Sequence, residues 1–153
     1  RALGNRSILS ECTDPNIRLL INEKIKNRQG FQPFCPSILE EDRNELFEKS
    51  FYHKHMATAF RMKKKFQTKY PSAVHVDGTS RPQFVEQKDN EKFFKILKEY
   101  KSLNEHGILI NTSFNKHGRT IVNTINRAVE DFIDCDIDIL YVENFMITKK
   151  IKE

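Results

Sequence analysis

The apolar positions of this chain fall into short runs whose period switches between two and about 3.6, the alternation of strands with helices. Residues 7–12 read as a short strand. Asp14 and Pro15 read as an N-cap and first helical residue, after which Ile17, Leu20, Ile21 and Ile25 recur at helical spacing and deliver Lys26 and Arg28. Residues 31–39, broken by Pro33 and Pro36, predict an extended edge segment, followed by a charged helix over about 40–49. Residues 51–70 show no clean period. Residues 74–77 predict a strand closed by the Asp77-Gly78 turn, with 81–86 as its partner. After Asp89-Asn90, the residues Phe93, Phe94, Leu97 and Tyr100 mark one face of a helix that finishes near Glu105 and is stopped by His106-Gly107. Residues 108–110 read as a buried strand, and 123–135 as a helix with Ile125, Ala128, Val129, Phe132 and Ile133 inward. Residues 137–147 read as a closing pair of apolar segments. No repeat is present, so the expected fold is one α/β domain over residues 1–153, a twisted open mixed sheet with flanking helices.

Composition narrows the class. The 153 residues suit one core and are few for two. Apolar residues make up 38% and charged residues 31%, and the 12 phenylalanines with no tryptophan point to a small, Phe-rich core. No stretch approaches the eighteen or so apolar residues of a membrane span, and the opening lacks the apolar region of a signal peptide, so the expected location is the cytoplasm. Cys12, Cys35 and Cys135 are odd in number and widely spaced, which suits free thiols better than a disulfide framework or zinc site. The first residue is Arg rather than Met, and the opening reads like the inside of a motif, as expected of a fragment of a longer polypeptide.

The net charge of +5, from 26 Lys and Arg against 21 Asp and Glu, predicts a surface that attracts anions without choosing among nucleic acid, nucleotide and acidic sugar. Arg61-Met62-Lys63-Lys64-Lys65 and the tail Lys149-Lys150-Ile151-Lys152 read as solvated charge runs. Two polar clusters are more specific. Lys26-Asn27-Arg28 places two cations at i and i+2, which in extended backbone project from one face toward one phosphate chain. Asn111-Thr112-Ser113-Phe114-Asn115 follows the strand pattern Gly107-Ile108-Leu109-Ile110, and so sits at a strand's carboxyl end, where open α/β sheets place ligands. Each has a plainer reading: cations at a helix C-terminus meet the helix dipole, and Ser and Asn are ordinary turn residues. His53 and His55 alone make a weak metal site, His75 and Asp77 are a turn with an edge histidine, and no P-loop is present.

The order of five motifs resembles the carboxyl-terminal domain of the nodulation-type O-carbamoyltransferases along nearly the whole chain. They are Arg1-Ala2-Leu3-Gly4-Asn5-Arg6-Ser7-Ile8-Leu9, Lys26-Asn27-Arg28, Phe34-Cys35-Pro36-Ser37, His75-Val76-Asp77-Gly78-Thr79-Ser80-Arg81 and Leu109-Ile110-Asn111-Thr112-Ser113-Phe114-Asn115. Lys26-x-Arg28 resembles the lysine-arginine signature of the YrdC-like fold, and Ser113-x-Asn115 its serine-asparagine signature.

The resemblance implies a YrdC-like domain that forms carbamoyl-adenylate and pyrophosphate from carbamoyl phosphate and ATP, with magnesium expected. It also implies an amino-terminal TsaD-like domain, absent here, that carries the iron and passes the carbamoyl group to a hydroxyl of a sugar or secondary metabolite. By that resemblance Lys26 and Arg28 meet phosphates, Arg6 and Arg81 are further clamps, and Ser113 and Asn115 orient the adenylate or carbamate. Gln29-Gly30 and Gln32 depart from a Glu-Pro and an arginine common in the family, which removes one cation, and Cys35 replaces a common alanine. Nucleic acid is a disfavoured partner, since the phenylalanines fall on faces that read as buried. A YrdC-like RNA- or tRNA-binding or threonylcarbamoyl-adenylate-type module and a non-catalytic docking domain stay open as other classes. A homodimer also stays open.

Overall fold

The computed structural model describes residues 2–149. Its centre is a four-stranded mixed sheet in the order β1 (Ser7–Ser10), β6 (Ile108–Ser113), β2 (Cys35–Leu39), β5 (Gln83–Val85). β6 runs antiparallel to both β1 and β2, whereas β2 and β5 are parallel. The expected single α/β domain with a mixed sheet is what the chain forms. Two smaller antiparallel pairs flank the sheet: β3 (Phe60–Arg61) with β4 (Thr79–Ser80), and the hairpin β7 (Ile139–Val142) with β8 (Phe145–Thr148).

Strand alternation divides the core in two. Ile8, Ile38, Phe84, Ile108 and Ile110 face the larger cluster, completed by Phe47, Phe66 and Phe132. Leu39, Val85 and Leu109 face the smaller one, which is closed by Phe93 and Leu97 of α4 (Glu91–Leu103). That helix begins where predicted, because the Asn90 side chain accepts the Phe93 N–H at 3.1 Å, satisfying one of the orphan donors of a helix start.

Four expectations fail for local reasons. Residues 31–39 are not an edge: β2 lies between β6 and β5, and all five of its residues are buried. Pro36 is tolerated there because it pairs only with Ile110, the β5 register beginning one residue later at Ser37. Residues 74–77 are not a strand. The Asp77 carboxylate accepts the Thr79 N–H at 2.9 Å and its hydroxyl at 2.7 Å, so the chain turns through Gly78 at φ 79° and leaves Val76 fully exposed. The predicted partner, 81–86, instead supplies β5, which pairs with β2. The charged helix over 40–49 shrinks to a 3₁₀ turn, Glu40–Asp42, and one α turn, α2 (Arg43–Leu46).

Smaller differences concern ends and faces. Asp14 does not cap the first helix but bonds the Asn16 N–H at 2.8 Å, and α1 (Ile17–Leu20) begins one residue later. α5 (Ile125–Asp134) buries Ala128 and Phe132 as predicted, yet Ile125 and Ile133 are exposed and Asp131 is fully buried. The unperiodic stretch contains β3 and α3 (Lys64–Lys69), which the basic run spans with Met62 buried and Arg61, Lys64 and Lys65 exposed. Lys149 is exposed but bonds the Cys135 carbonyl; the rest of the basic tail, like Arg1, lies outside the described residues. The three cysteines are free and buried. Among the described residues no helix is long and apolar enough to cross a membrane.

Candidate functional site

The two polar clusters meet. α1 continues into a π-helical turn, Ile21–Ile25, in which the Lys26 N–H reaches back five residues to the Ile21 carbonyl at 2.8 Å. Asn27 then adopts the left-handed conformation, φ 48°, which asparagine tolerates at a helix end, and the chain reverses. Lys26 and Arg28 therefore do not lie on extended backbone at strand spacing; they flank a helix cap, which aims one inward and the other at a neighbouring cleft.

Lys26 is 4% exposed and its ammonium is held by the end of β6. It donates to the Ser113 carbonyl, to Ser113 Oγ at 3.3 Å, and to the Asn115 carbonyl and Oδ1, both at 3.1 Å. Ser113 Oγ in turn donates to Asn115 Oδ1 at 2.5 Å, and Asn115 Nδ2 bonds the Lys116 carbonyl at 2.9 Å and the Arg119 carbonyl at 2.8 Å. The predicted trio of Lys26, Ser113 and Asn115 is thus one hydrogen-bonded unit, in which the lysine cross-links a helix end to a strand end and the asparagine shapes the following loop. The strand itself runs through Ser113, three residues beyond the predicted 108–110, so Asn111 and Thr112 belong to the sheet rather than to a loop.

Beside this unit lies a cleft of about 320 Å³, lined by Ala2, Leu3, Arg28, Phe34, Cys35, Arg81, Asn111, Thr112 and Ser113 among others. Arg28 stacks its guanidinium 4.8 Å over the Phe34 ring and donates Nε to Asn22 Oδ1 at 2.6 Å. Asn22, buried, is fixed in turn by bonds to the Gly30 and Gln32 carbonyls at 3.0 and 2.8 Å. This clamp leaves the terminal nitrogens of Arg28 without protein partners among the described residues. Arg81 makes no hydrogen bond or ion pair among them either. Two planar forks that suit phosphate or carboxylate oxygens thus line one cleft. Arg6 does not line it; its guanidinium bonds the Val122 carbonyl at 3.1 Å and braces the loop after Phe114.

Electrostatics reinforce the arrangement. Burial, with a smaller push from Arg28, pulls the Lys26 ammonium from its ordinary 10.5 down to about 8, against the opposing influence of Cys135 and Asp131. Burial also lowers Arg28. Below about pH 8 Lys26 is charged in both folded and unfolded chains. Between about 8 and 10.5 the folded chain has released a proton that the unfolded chain keeps, so this group makes stability rise with pH. Wild type should therefore gain thermal stability relative to Lys26→Met between pH 8 and 10, while phosphate binding weakens as the ammonium is lost; a flat difference across that range would contradict the assignment.

Sequence reasoning did not find Phe34, Asn22 or Asp131 as parts of this site. Asp131 is fully buried under it, paired with Arg119 at 2.6 Å, and nothing in the apolar stripe of its helix marks it out. Elsewhere, Glu45, Glu105 and His106 bring ligand atoms within 4.8 Å, but Glu105 is ion-paired with Lys69 and His106 Nδ1 is 2.8 Å from the Tyr70 hydroxyl. His53 and His55 are not part of that group; His53 Nε2 accepts the Ala57 N–H at 3.2 Å.

A mixed sheet whose cleft is lined by Arg28, Arg81 and Ser113, the last braced from behind by Lys26, defines an α/β domain with a cationic cleft. Comparison with known proteins gives it a family: residues 1–149 match the family described as carbamoyltransferase C-terminus, and the chain belongs to it. It is 60% identical over 151 residues to an uncharacterized protein of Methanocaldococcus jannaschii, covering 99% of this chain and 25% of that one. It is 36% identical to nodulation protein NolNO of Sinorhizobium fredii and 35% identical to nodulation protein NolO of Bradyrhizobium diazoefficiens, over 98% of this chain and 22% and 28% of theirs. The chain thus spans about a quarter of the length of these relatives.

Proposed function

We propose that this domain binds ATP together with carbamoyl phosphate in the cleft and makes carbamoyl-adenylate, the activated half of an O-carbamoyltransferase. The observation that carries the reading is the pair Arg28 and Arg81, both lining one cleft beside Ser113, with the terminal guanidinium nitrogens of each free of protein partners among the described residues. Water takes the phosphoryl group from carbamoyl phosphate, releasing inorganic phosphate. A carbamate oxygen then attacks the α-phosphorus of ATP, and the bond to the β-phosphate oxygen breaks as pyrophosphate leaves. The arginines neutralise charge gathering on the phosphates, where preorganised donors act most strongly. Lys26 holds the Ser113–Asn115 end of β6 in shape and places a third positive charge behind it.

Among the described residues the cleft lining contains no carboxylate, so a magnesium ion would travel on the phosphate oxygens rather than on these side chains. In this reading the carbamoyl group passes to a hydroxyl of a sugar or secondary metabolite in another part of the same, longer polypeptide, the expected TsaD-like domain. Titration with ATP, followed by amide NMR, should move the signals of Leu3, Arg28, Asn111 and Ser113 and leave those of the β7–β8 hairpin in place. Shifts confined to the hairpin, or none at all, would count against the site.

A further inference from the structure

Beneath the cleft, three polar side chains from three adjacent strands are buried together: Ser37 of β2, Gln83 of β5 and Asn111 of β6. Buried polar groups are retained only when bonded, and here the bonds have one consistent direction. Gln83 Nε2 donates to the Leu3 carbonyl at 3.3 Å, and a carbonyl can only accept, so the Gln83 oxygen must face the other way. That oxygen accepts the Ser37 hydroxyl at 2.6 Å and Asn111 Nδ2 at 3.3 Å. Asn111 Nδ2 also donates to Ser37 Oγ at 2.8 Å. Both of its amide hydrogens are thereby used, and the orientation of the carboxamide follows from one backbone carbonyl. Asn111 lines the cleft, and its Oδ1 has no protein partner among the described residues.

We infer that Asn111 Oδ1 is a fixed acceptor for an amino group of the ligand, and that this group is the carbamoyl nitrogen. The inference rests on the proposed adenylating function. An amino group could come from the carbamoyl moiety or from the adenine ring. Position favours the first. Asn111 and Ser113 alternate on one strand, so their side chains share a face about 7 Å apart at ~3.4 Å per residue. Ser113 carries the Lys26 ammonium, and the carbamoyl nitrogen is three bonds from its phosphorus, whereas the adenine amino group lies beyond the whole ribose. A pinned oxygen also distinguishes an amide from its methyl isostere, because a methyl group would leave the oxygen unpaired in the cleft.

The test compares carbamoyl phosphate with acetyl phosphate, which carries CH₃ in place of NH₂, and ATP with ITP, which lacks the ring amino group. Inorganic phosphate is the control. Binding is measured by calorimetry to wild type, Asn111→Leu and Ser37→Ala, each checked for native circular dichroism. Wild type should prefer carbamoyl over acetyl phosphate by about 10-fold. Asn111→Leu should erase that preference while holding inorganic phosphate within about 2-fold and leaving the ATP to ITP ratio unchanged. Ser37→Ala, which keeps the asparagine but removes the shorter of the two bonds that orient it, should lose part of the preference. A preference that survives Asn111→Leu overturns the inference, as does a collapse of the ATP to ITP ratio instead. If wild type binds ATP without telling the two acyl phosphates apart, this inference alone fails; if it binds none of the phosphates, the adenylating reading fails with it.

Discussion

Replacing Lys26 with Met should lower carbamoyl-phosphate-dependent pyrophosphate release by about 100-fold or more, on the basis of lost charge-assisted hydrogen bonds at ~1.5–3 kcal/mol each. Methionine fills the same volume but leaves the Ser113 carbonyl, the Asn115 carbonyl and Asn115 Oδ1 without the ammonium they share. The loop after Ser113 then loses the bond that sets its shape, and the cleft loses the charge behind it. Stability should fall as well, by ~1–3 kcal/mol, because the part-buried Ser113 and Asn115 carbonyls lose this donor. Lys26→Arg should not rescue, since a planar fork cannot converge on four oxygens around one point as an ammonium does. Steady-state rates with chemical denaturation on the same preparations would separate the two effects: a variant at full activity, whatever its stability, would show that Lys26 is scaffold alone.

Arg28→Lys should weaken ATP binding by about 10- to 100-fold despite keeping the charge, since one or two charge-assisted bonds at ~1.5–3 kcal/mol disappear. A lysine cannot keep both the stack on Phe34 and the bond to Asn22 while presenting two further donors to a phosphate. Arg6→Lys, by contrast, should leave ATP affinity within about 2-fold, because Arg6 serves the Val122 carbonyl and not the cleft. Titration of both variants with ATP distinguishes these roles; equal losses at the two positions would mean that the cleft is wrongly placed.

The sequence was legible where chemistry is local. The Asn90 cap, the period of Phe93 and Leu97, and the run Ile108 to Ile110 each announce their element through short-range physics. The candidate unit Lys26, Ser113 and Asn115 was legible through its motifs, though its geometry was not: the π turn and the left-handed Asn27 have no periodic signature, so the pair looked like strand spacing. What failed depended on tertiary neighbours. Pro36 reads as an edge residue until β5 is seen to start at Ser37, and Val76 reads as strand until Asp77 folds its carboxylate back on Thr79. The buried polar groups were hidden for the same reason. Ser37, Gln83 and Asn111 lie in three separate segments, and only strand order brings them together.

Pyrophosphate release from ATP by this domain in the presence of carbamoyl phosphate and magnesium, measured alongside Arg28→Lys, Arg81→Ala and Lys26→Met, tests the adenylating cleft most directly. Release that requires carbamoyl phosphate and falls in all three variants is the expected result. Nucleotide binding and turnover unaffected by any of them, or no ATP binding at all by wild type, would contradict an adenylating cleft at the end of β6.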